Sequence, residues 1–313
     1  MGSTHKQTGY RYAEYGIPDP DFDKYEDLES PFAEVEDLSV PAMREIAAQM
    51  PVTFPYGEDE VASVSISHER IKARDGAELE LRIYKDKSLD RKGILFFVTH
   101  GGGWVFGDHS TEEAMNRLVA KRTSSVVVSV NYRLQCRENA ESLEIDANRV
   151  IVGGSSSGGI IAAALALKDG DEGIGAIFGQ VLNIPDTWHP THFPKDRFEY
   201  YSPEQNKDAP ILTTEAAHWF WDLYCATDDA DCYASPLLAS YHEGYHQHQD
   251  VIPSATTGWL TAKHSKPVPV KTKIYPRLPH AFCLFPDLKE TRTYFSSIVD
   301  WINFLDKDLA KIL

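Results

Sequence analysis

The chain has 313 residues, 42% of them apolar, enough to bury one large core. Its 47 acidic against 31 basic residues give a formal net charge of -16 with no Lys/Arg cluster. Nucleic acid and anionic membrane surfaces are therefore excluded as expected partners.

The amino terminus, MGSTHKQTGYRY, has no apolar core of signal-peptide length, and Met1-Gly2 is not followed by the Ser or Thr of a myristoylation site, because Lys6 stands there. Residues 1–60 are acidic and broken by prolines, with one short apolar-periodic run, PAMREIAAQM, and read as an arm plus a helical cap. VASVSISHERIKA and LELRIYK alternate and flank the turn signal Arg74-Asp75-Gly76, which predicts an antiparallel hairpin at a sheet edge.

The pattern then changes to continuous apolar runs, GILFFVTH, SVVVSVNY, RVIVGGS and GAIFGQVLNI, as expected of strands covered on both faces. The helical runs TEEAMNRLVAKR and GIIAAALALKD lie between some of them, which predicts an α/β fold with a mostly parallel central sheet and helices on both faces. The aromatic stretch 186–234, with EAAHWFWDLY as its helix, is too long for an ordinary loop and reads as a lid-like insertion in a domain spanning 61–313. VKTKIYP predicts a last strand and TYFSSIVDWINFLDKDLAKIL a terminal helix. No stretch reaches the roughly 18 apolar residues of a membrane span. Cys136, Cys225, Cys232 and Cys283 are too scattered for a disulfide framework, so a reducing, cytoplasmic setting is expected.

Chemistry concentrates in two glycine-rich turns. RVIVGGSSSGGIIAAALAL is strand, tight turn and helix, the context of a nucleophile elbow, and only Ser156 has glycine at both minus two and plus two, namely Gly154 and Gly158. Ser155 and Ser157 are excluded as nucleophiles in that frame. FFVTHGGGW ends another buried strand with Gly101, Gly102 and Gly103, whose amides, with that of Ser157, can surround an oxyanion. A base must follow, and His280 in IYPRLPHAF stands just after the last predicted strand. His242, His246 and His248 in SYHEGYHQHQD permit a metal reading, but no helix fixes their spacing, and a solvated loop is the expectation. No cofactor is expected.

These residues together resemble the hormone-sensitive-lipase-like family of α/β-hydrolases, also called α/β-hydrolase fold-3. The resemblance runs from about Val64 to the end through HGGGW at 100–104, VNYRL at 130–134, GGSSSGG at 153–159, DAPILTTEAAHWFWDLY at 208–224, YASPLLA at 233–239 and YPRLPHAF at 275–282. It implies a carboxylic-ester hydrolase that prefers short acyl chains on small-molecule esters, working through an acyl-enzyme on Ser156, under an N-terminal cap.

The chain departs from the family pattern in three places. The family's usual Asp and Ala around the nucleophile are Ser155 and Ser157 here. Only QCRENAESLEIDAN stands where the family carries a proline-bearing loop and a full helix, so that helix is short or absent and exposed apolar sheet is expected. The motif that carries the family's acid is missing. Asp250, 280 − 250 = 30 residues before His280, has the family's usual interval and is the assigned acid, ahead of Asp228, Asp229, Asp231 and Asp287. A chain without a competent acid remains open at this point, because the imidazole then lacks its orienting partner. Trp104 and Trp219, with Trp188 and Trp221, are the candidate substrate contacts or else core. Two other classes fit the same residues: a binding protein with a decayed triad, and a transferase or cyclase of small-molecule biosynthesis that passes the acyl group to an alcohol or amine.

Overall fold

The computed structural model describes residues 13–25, 40–49, 53–73, 76–90, 92–132, 145–196, 200–224, 232–241, 256–257 and 269–307. Six strands form one sheet in the order β1-β2-β4-β3-β5-β6: β1 Val64–Lys72, β2 Glu78–Asp86, β3 Gly93–Thr99, β4 Ser125–Val130, β5 Ile145–Ser155 and β6 Ile177–Asn183. β1 and β2 are the antiparallel edge hairpin, and β4, β3, β5 and β6 run parallel. Every residue of β3 and β4 is buried, as their unbroken apolar runs require.

Each face of the sheet has its own core. On one face Phe96, Val98, Val127 and Ile151 meet Leu118 and Val119 of α2, Glu113–Arg122, and Tyr294, Ile298 and Ile302 of α6, Lys289–Lys307. The buried positions of α6 recur at helical spacing, so one stripe docks while the other meets water. Burial of each such large side chain contributes about 1.5–3 kcal/mol. On the other face Leu95, Phe97, Val126, Val128 and Val152 pack on Ala162, Ala163 and Ala166 of α3, Ser157–Asp171. Small alanines let that helix lie close to the sheet.

Two expectations need correction. Among the described residues no exposed apolar sheet is found: Leu79, Leu81, Ile83, Val126 and Val128 are all buried, in one continuous cluster with the α3 alanines. The crossover from β4 to β5 is nonetheless short, since β5 already begins at Ile145, and its register with β3 jumps from Asp146 to Val150. Residues 133–144 of that crossover lie outside the described residues. The last strand shrinks to β8, Lys273–Ile274, paired antiparallel with β7, Thr256–Thr257. Pro276 has no N–H for a ladder, and exposed Lys271 keeps the start of the run wet.

Three further helices stand near the carboxyl ends of the parallel strands: α1 Val40–Ala48, α4 Ser202–Gln205 and α5 Thr214–Tyr224. Among the described residues no helix is long and apolar enough to cross a membrane.

Candidate active site

β5 turns into α3 at Ser156, whose φ of 53° and ψ of -123° place a non-glycine residue in strained backbone. The turn is closed by the Ser156 N–H, which donates to the Asn183 carbonyl at the end of β6 at 2.8 Å. A Cβ on Gly154 would stand 2.5 Å from the Thr99 carbonyl oxygen, and one on Gly158 only 2.1 Å from it. Glycine is thus required on both sides because the end of β3 passes directly over the elbow. Thr99 then uses its hydroxyl to bind the Gly158 carbonyl at 2.7 Å.

The loop after β3 wraps the other side of Ser156. Gly102 and Gly103 have φ of 123° and 57°, and a Cβ on Gly102 would strike the Phe106 carbonyl oxygen at 2.1 Å. The loop closes on itself through Val105 and Phe106 N–H groups, which both donate to the Gly102 carbonyl. His100 is buried and its pKa is lowered, chiefly by desolvation, so the neutral ring is favoured, with Nδ1 at 2.8 Å from the Gly101 carbonyl. The Tyr132 hydroxyl donates to the His100 carbonyl.

Beneath this loop lies Glu112, just ahead of α2. The Ser155 hydroxyl donates to its Oε2 at 3.1 Å and the Gly101 N–H to its Oε1 at 3.4 Å. Burial pushes this carboxyl above its ordinary pKa, and the two donors offset only part of that rise. The Gly101 amide is therefore turned towards a carboxylate, unlike the oxyanion role expected of it.

His280 arrives on the loop that follows β8, with Nε2 3.0 Å from the Ser156 hydroxyl. That loop is tied to the amino-terminal arm: Arg277 donates from Nε to the Ile17 carbonyl at 3.0 Å and from a terminal nitrogen to the Pro18 carbonyl at 2.7 Å, while the Asp19 N–H donates to the Arg277 carbonyl. On the far side Thr291 of α6 donates to the Phe285 carbonyl at 2.7 Å.

Ser156, His280 and the glycine loop open into a cavity of about 1220 Å³. Arg44, Ile46 and Ala47 of α1 form part of its wall, and Arg44 Nε donates to the Val105 carbonyl at 2.8 Å. Trp104, Trp188 and Trp221 line it together with Asp186.

The family model described as the alpha/beta hydrolase fold matches residues 96–141 and 134–284, more than half of the chain. The chain belongs to the hormone-sensitive-lipase-like family of α/β-hydrolases. The match divides in two around residues 134–141, at the short crossover. A versiconal hemiacetal acetate esterase of Dothistroma septosporum is 29% identical over 262 residues, covering 72% of this chain and 78% of the relative. One of Emericella nidulans is 30% identical over 239 residues, covering 68% and 83%. Among solved structures, a hyperthermophilic esterase from Pyrobaculum calidifontis aligns over 93% of this chain and 99% of its own with a TM-score of 0.69, and at 22% identity it speaks for the fold alone.

In this hydrolase the residues expected from sequence are brought together unevenly. Ser156, Ser157, His280, Gly101, Gly102, Gly103 and Trp104 all border one cavity. Trp219 does not. The cavity-facing stripe of α5 is Thr214, Ala217, His218 and Trp221, with Phe220 beside it, so helical spacing turns Trp219 elsewhere, against Phe220 with centroids 5.2 Å apart. Asp250, Asp228, Asp229, Asp231, His242, His246 and His248 lie outside the described residues. Among the described residues no cluster of three or more His, Cys, Asp or Glu could hold a metal ion.

Two carboxyls of the hydrolase escape sequence reasoning, Glu112 and Asp186. The signal for Glu112 is the Ser155 departure: the family's carboxylate before the nucleophile is replaced by a hydroxyl, and a carboxylate from another element meets that hydroxyl. Asp186 had no such signal.

Proposed function

We propose that the hydrolase cleaves small-molecule esters with short acyl chains through an acyl-enzyme on Ser156. The observation that carries this is the 3.0 Å approach of His280 Nε2 to the hydroxyl of a serine held at positive φ. His280 takes the Ser156 proton as Oγ attacks the ester carbonyl carbon, and the amides of Gly102, Gly103 and Ser157 hold the oxyanion. Collapse expels the alcohol, which leaves with the proton from His280. Water, deprotonated by the same imidazole, then attacks the acyl carbon, the bond to Ser156 Oγ breaks to release the acid, and the imidazolium returns its proton to Oγ. Asp250 is assigned as the group that orients His280.

Short acyl specificity is supported by the resemblance and by relatives named for acetate ester hydrolysis. Residues 1–60 act as the cap in this reading, through the contact of Arg44 with the oxyanion loop and of Arg277 with the arm, and 186–234 act as the lid-like wall.

The test is steady-state hydrolysis of p-nitrophenyl acetate, butyrate and palmitate. The native protein is expected to turn over the two short esters with far higher kcat/KM than the long one, and Ser156→Ala to lose about 10⁴-fold or more in kcat. Absence of turnover by the native protein, or a retained rate in Ser156→Ala, would contradict it.

A further inference from the structure

The oxyanion loop is not held by its own backbone chemistry alone. Gly102, Gly103 and Trp104 take three positive φ values in succession, 123°, 57° and 62°. The Val105 N–H donates to the Gly102 carbonyl at 3.0 Å, so Gly103 and Trp104 are the two central residues of a tight turn. A turn with positive φ at both central positions favours Gly, Asn or Asp, and a bulky ring at the second one is there under constraint. Something outside the turn must hold it.

That element is α5. Phe220, Trp221 and Tyr224 stand at i, i+1 and i+4 and share one side of the helix. The Phe220 ring fills the space over Gly103: a Cβ on that glycine would lie 2.4, 2.6 and 2.7 Å from Phe220 Cδ1, Cε1 and Cγ. Tyr224 stacks on the Trp104 ring at 4.2 Å with planes 4° apart, and Trp221 meets the same ring at 4.8 Å. Phe106, just beyond the turn, lies 6.0 Å from Phe220.

The helix has its own anchor. Phe220 and Trp221 are buried, and the Trp221 Nε1–H donates to Asp186 at 2.8 Å. Asp186 stands three residues past Asn183, whose carbonyl closes the elbow on the Ser156 N–H. Through α5 the oxyanion loop is thus referred to the same strand end as Ser156.

We propose that Phe220 is a positioning residue for the oxyanion hole: its ring bears on Gly103 and, with Trp221 and Tyr224 gripping Trp104, keeps the Gly103 amide aimed at the developing oxyanion. This rests on the reading of Gly103 as an oxyanion donor in an ester hydrolase. Phe220 acts through Gly103, so its loss falls on the transition state, where charge reaches the carbonyl oxygen, and lowers kcat while KM is kept.

The kinetic test uses p-nitrophenyl acetate. Phe220→Ala is expected to lower kcat by about 10- to 100-fold, as a misplaced oxyanion donor implies, with KM within about threefold of native. Affinity for 1,1,1-trifluoro-4-phenyl-2-butanone should fall by a similar factor. Ser156 Oγ adds to its carbonyl carbon, the carbonyl electron pair moves onto oxygen as an oxyanion, and His280 takes the serine proton. Phe220→Leu, which keeps Cγ and Cδ1 but not Cε1 over Gly103, should lose only severalfold. Tyr224→Ala, which frees one face of Trp104 from the partly exposed end of the helix, should also lose severalfold in kcat. These two decide the matter if the alanine variant at 220 does not fold. A native kcat in Phe220→Ala, or in both milder variants, overturns the proposal. So does a loss confined to KM, which would make Phe220 a substrate contact.

A second measurement needs no activity. Gly103→Ala drives a methyl group into the Phe220 ring and Phe220→Ala vacates that space, so the urea midpoint of the double variant should fall by clearly less than the two single shifts combined. Shifts that simply add overturn the contact on which the proposal stands. If the native protein turns over no ester, the esterase reading fails, while this cycle still decides whether Phe220 bears on Gly103.

Discussion

Ser156 is held in a conformation that costs a non-glycine residue about 1–3 kcal/mol, and the closure onto Asn183 together with the close approach of Thr99 keeps it there. The strain presents Oγ to His280 at 3.0 Å. His280→Ala should lower kcat for p-nitrophenyl acetate by about 10⁴-fold, with the Tm within a few degrees of native; a loss under about tenfold would remove His280 from the mechanism. Glu112 works one step back, holding the Gly101 amide and the Ser155 hydroxyl at once. Glu112→Ala releases both, and a loop displaced by about 1 Å is enough to cost about 10²-fold. The fall is expected mainly in kcat, with Glu112→Gln recovering part of it because an acceptor for Gly101 returns. An effect on KM alone would argue against a positioning role.

Among the elements, the elbow depends on how closely β3 overlies it. Gly158→Ala drives a methyl group to 2.1 Å from the Thr99 carbonyl, where backbone rather than a flexible side chain must give way. A loss of at least about 2 kcal/mol in denaturant unfolding is expected, with most of the activity; an unchanged midpoint would show the strand can retreat freely. Arg277 ties the loop of His280 to the arm at Ile17 and Pro18 from a partly exposed position. Arg277→Ala should cost only about 1 kcal/mol yet lower kcat severalfold, and rates equal to native would dissociate the arm from the base. Elements with a strong local period were legible beforehand: β3 and β4 from unbroken apolar runs, α3 from the glycine turn ahead of its alanines, α5 from its aromatic stretch. Which tryptophan of α5 faces the cavity was not, because Trp219 and Trp221 are equally apolar and only docking chooses the stripe.

At the scale of the molecule, the hairpin β1–β2 is bolted to α2 by one enclosed acid. Asp86 accepts from Lys121 at 2.8 Å and from the Ser88 and Ser63 hydroxyls. Burial alone would raise its pKa, but these donors prevail and hold the carboxyl well below its usual range. A folded-state value below the unfolded one of about 4 contributes stability that is full above that pH and fades as pH falls beneath it. Asp86→Asn should therefore be less stable than native by about 2 kcal/mol at pH 7, and the gap between the urea midpoints of the two should narrow steadily as pH falls below about 4; a gap that stays constant would remove the ionised form from the account. Such long-range partners explain what could not be read from sequence. Ser155 and Glu112 are 43 positions apart, and Asp186 and Trp221 are 35 apart. No spacing rule links them until the sheet has brought the ends of β3, β5 and β6 side by side. That Ser156, the glycine loop and His280 come together was legible because each lies in a local motif at the end of a strand.

The central claim, that Ser156 is a nucleophile activated by His280, is tested most directly by intact mass spectrometry after exposure to an alkyl fluorophosphonate. One adduct per chain is expected, mapped to Ser156, absent from Ser156→Ala and strongly slowed in His280→Ala. A native protein that stays unmodified, or that is modified at a residue other than Ser156, would contradict it.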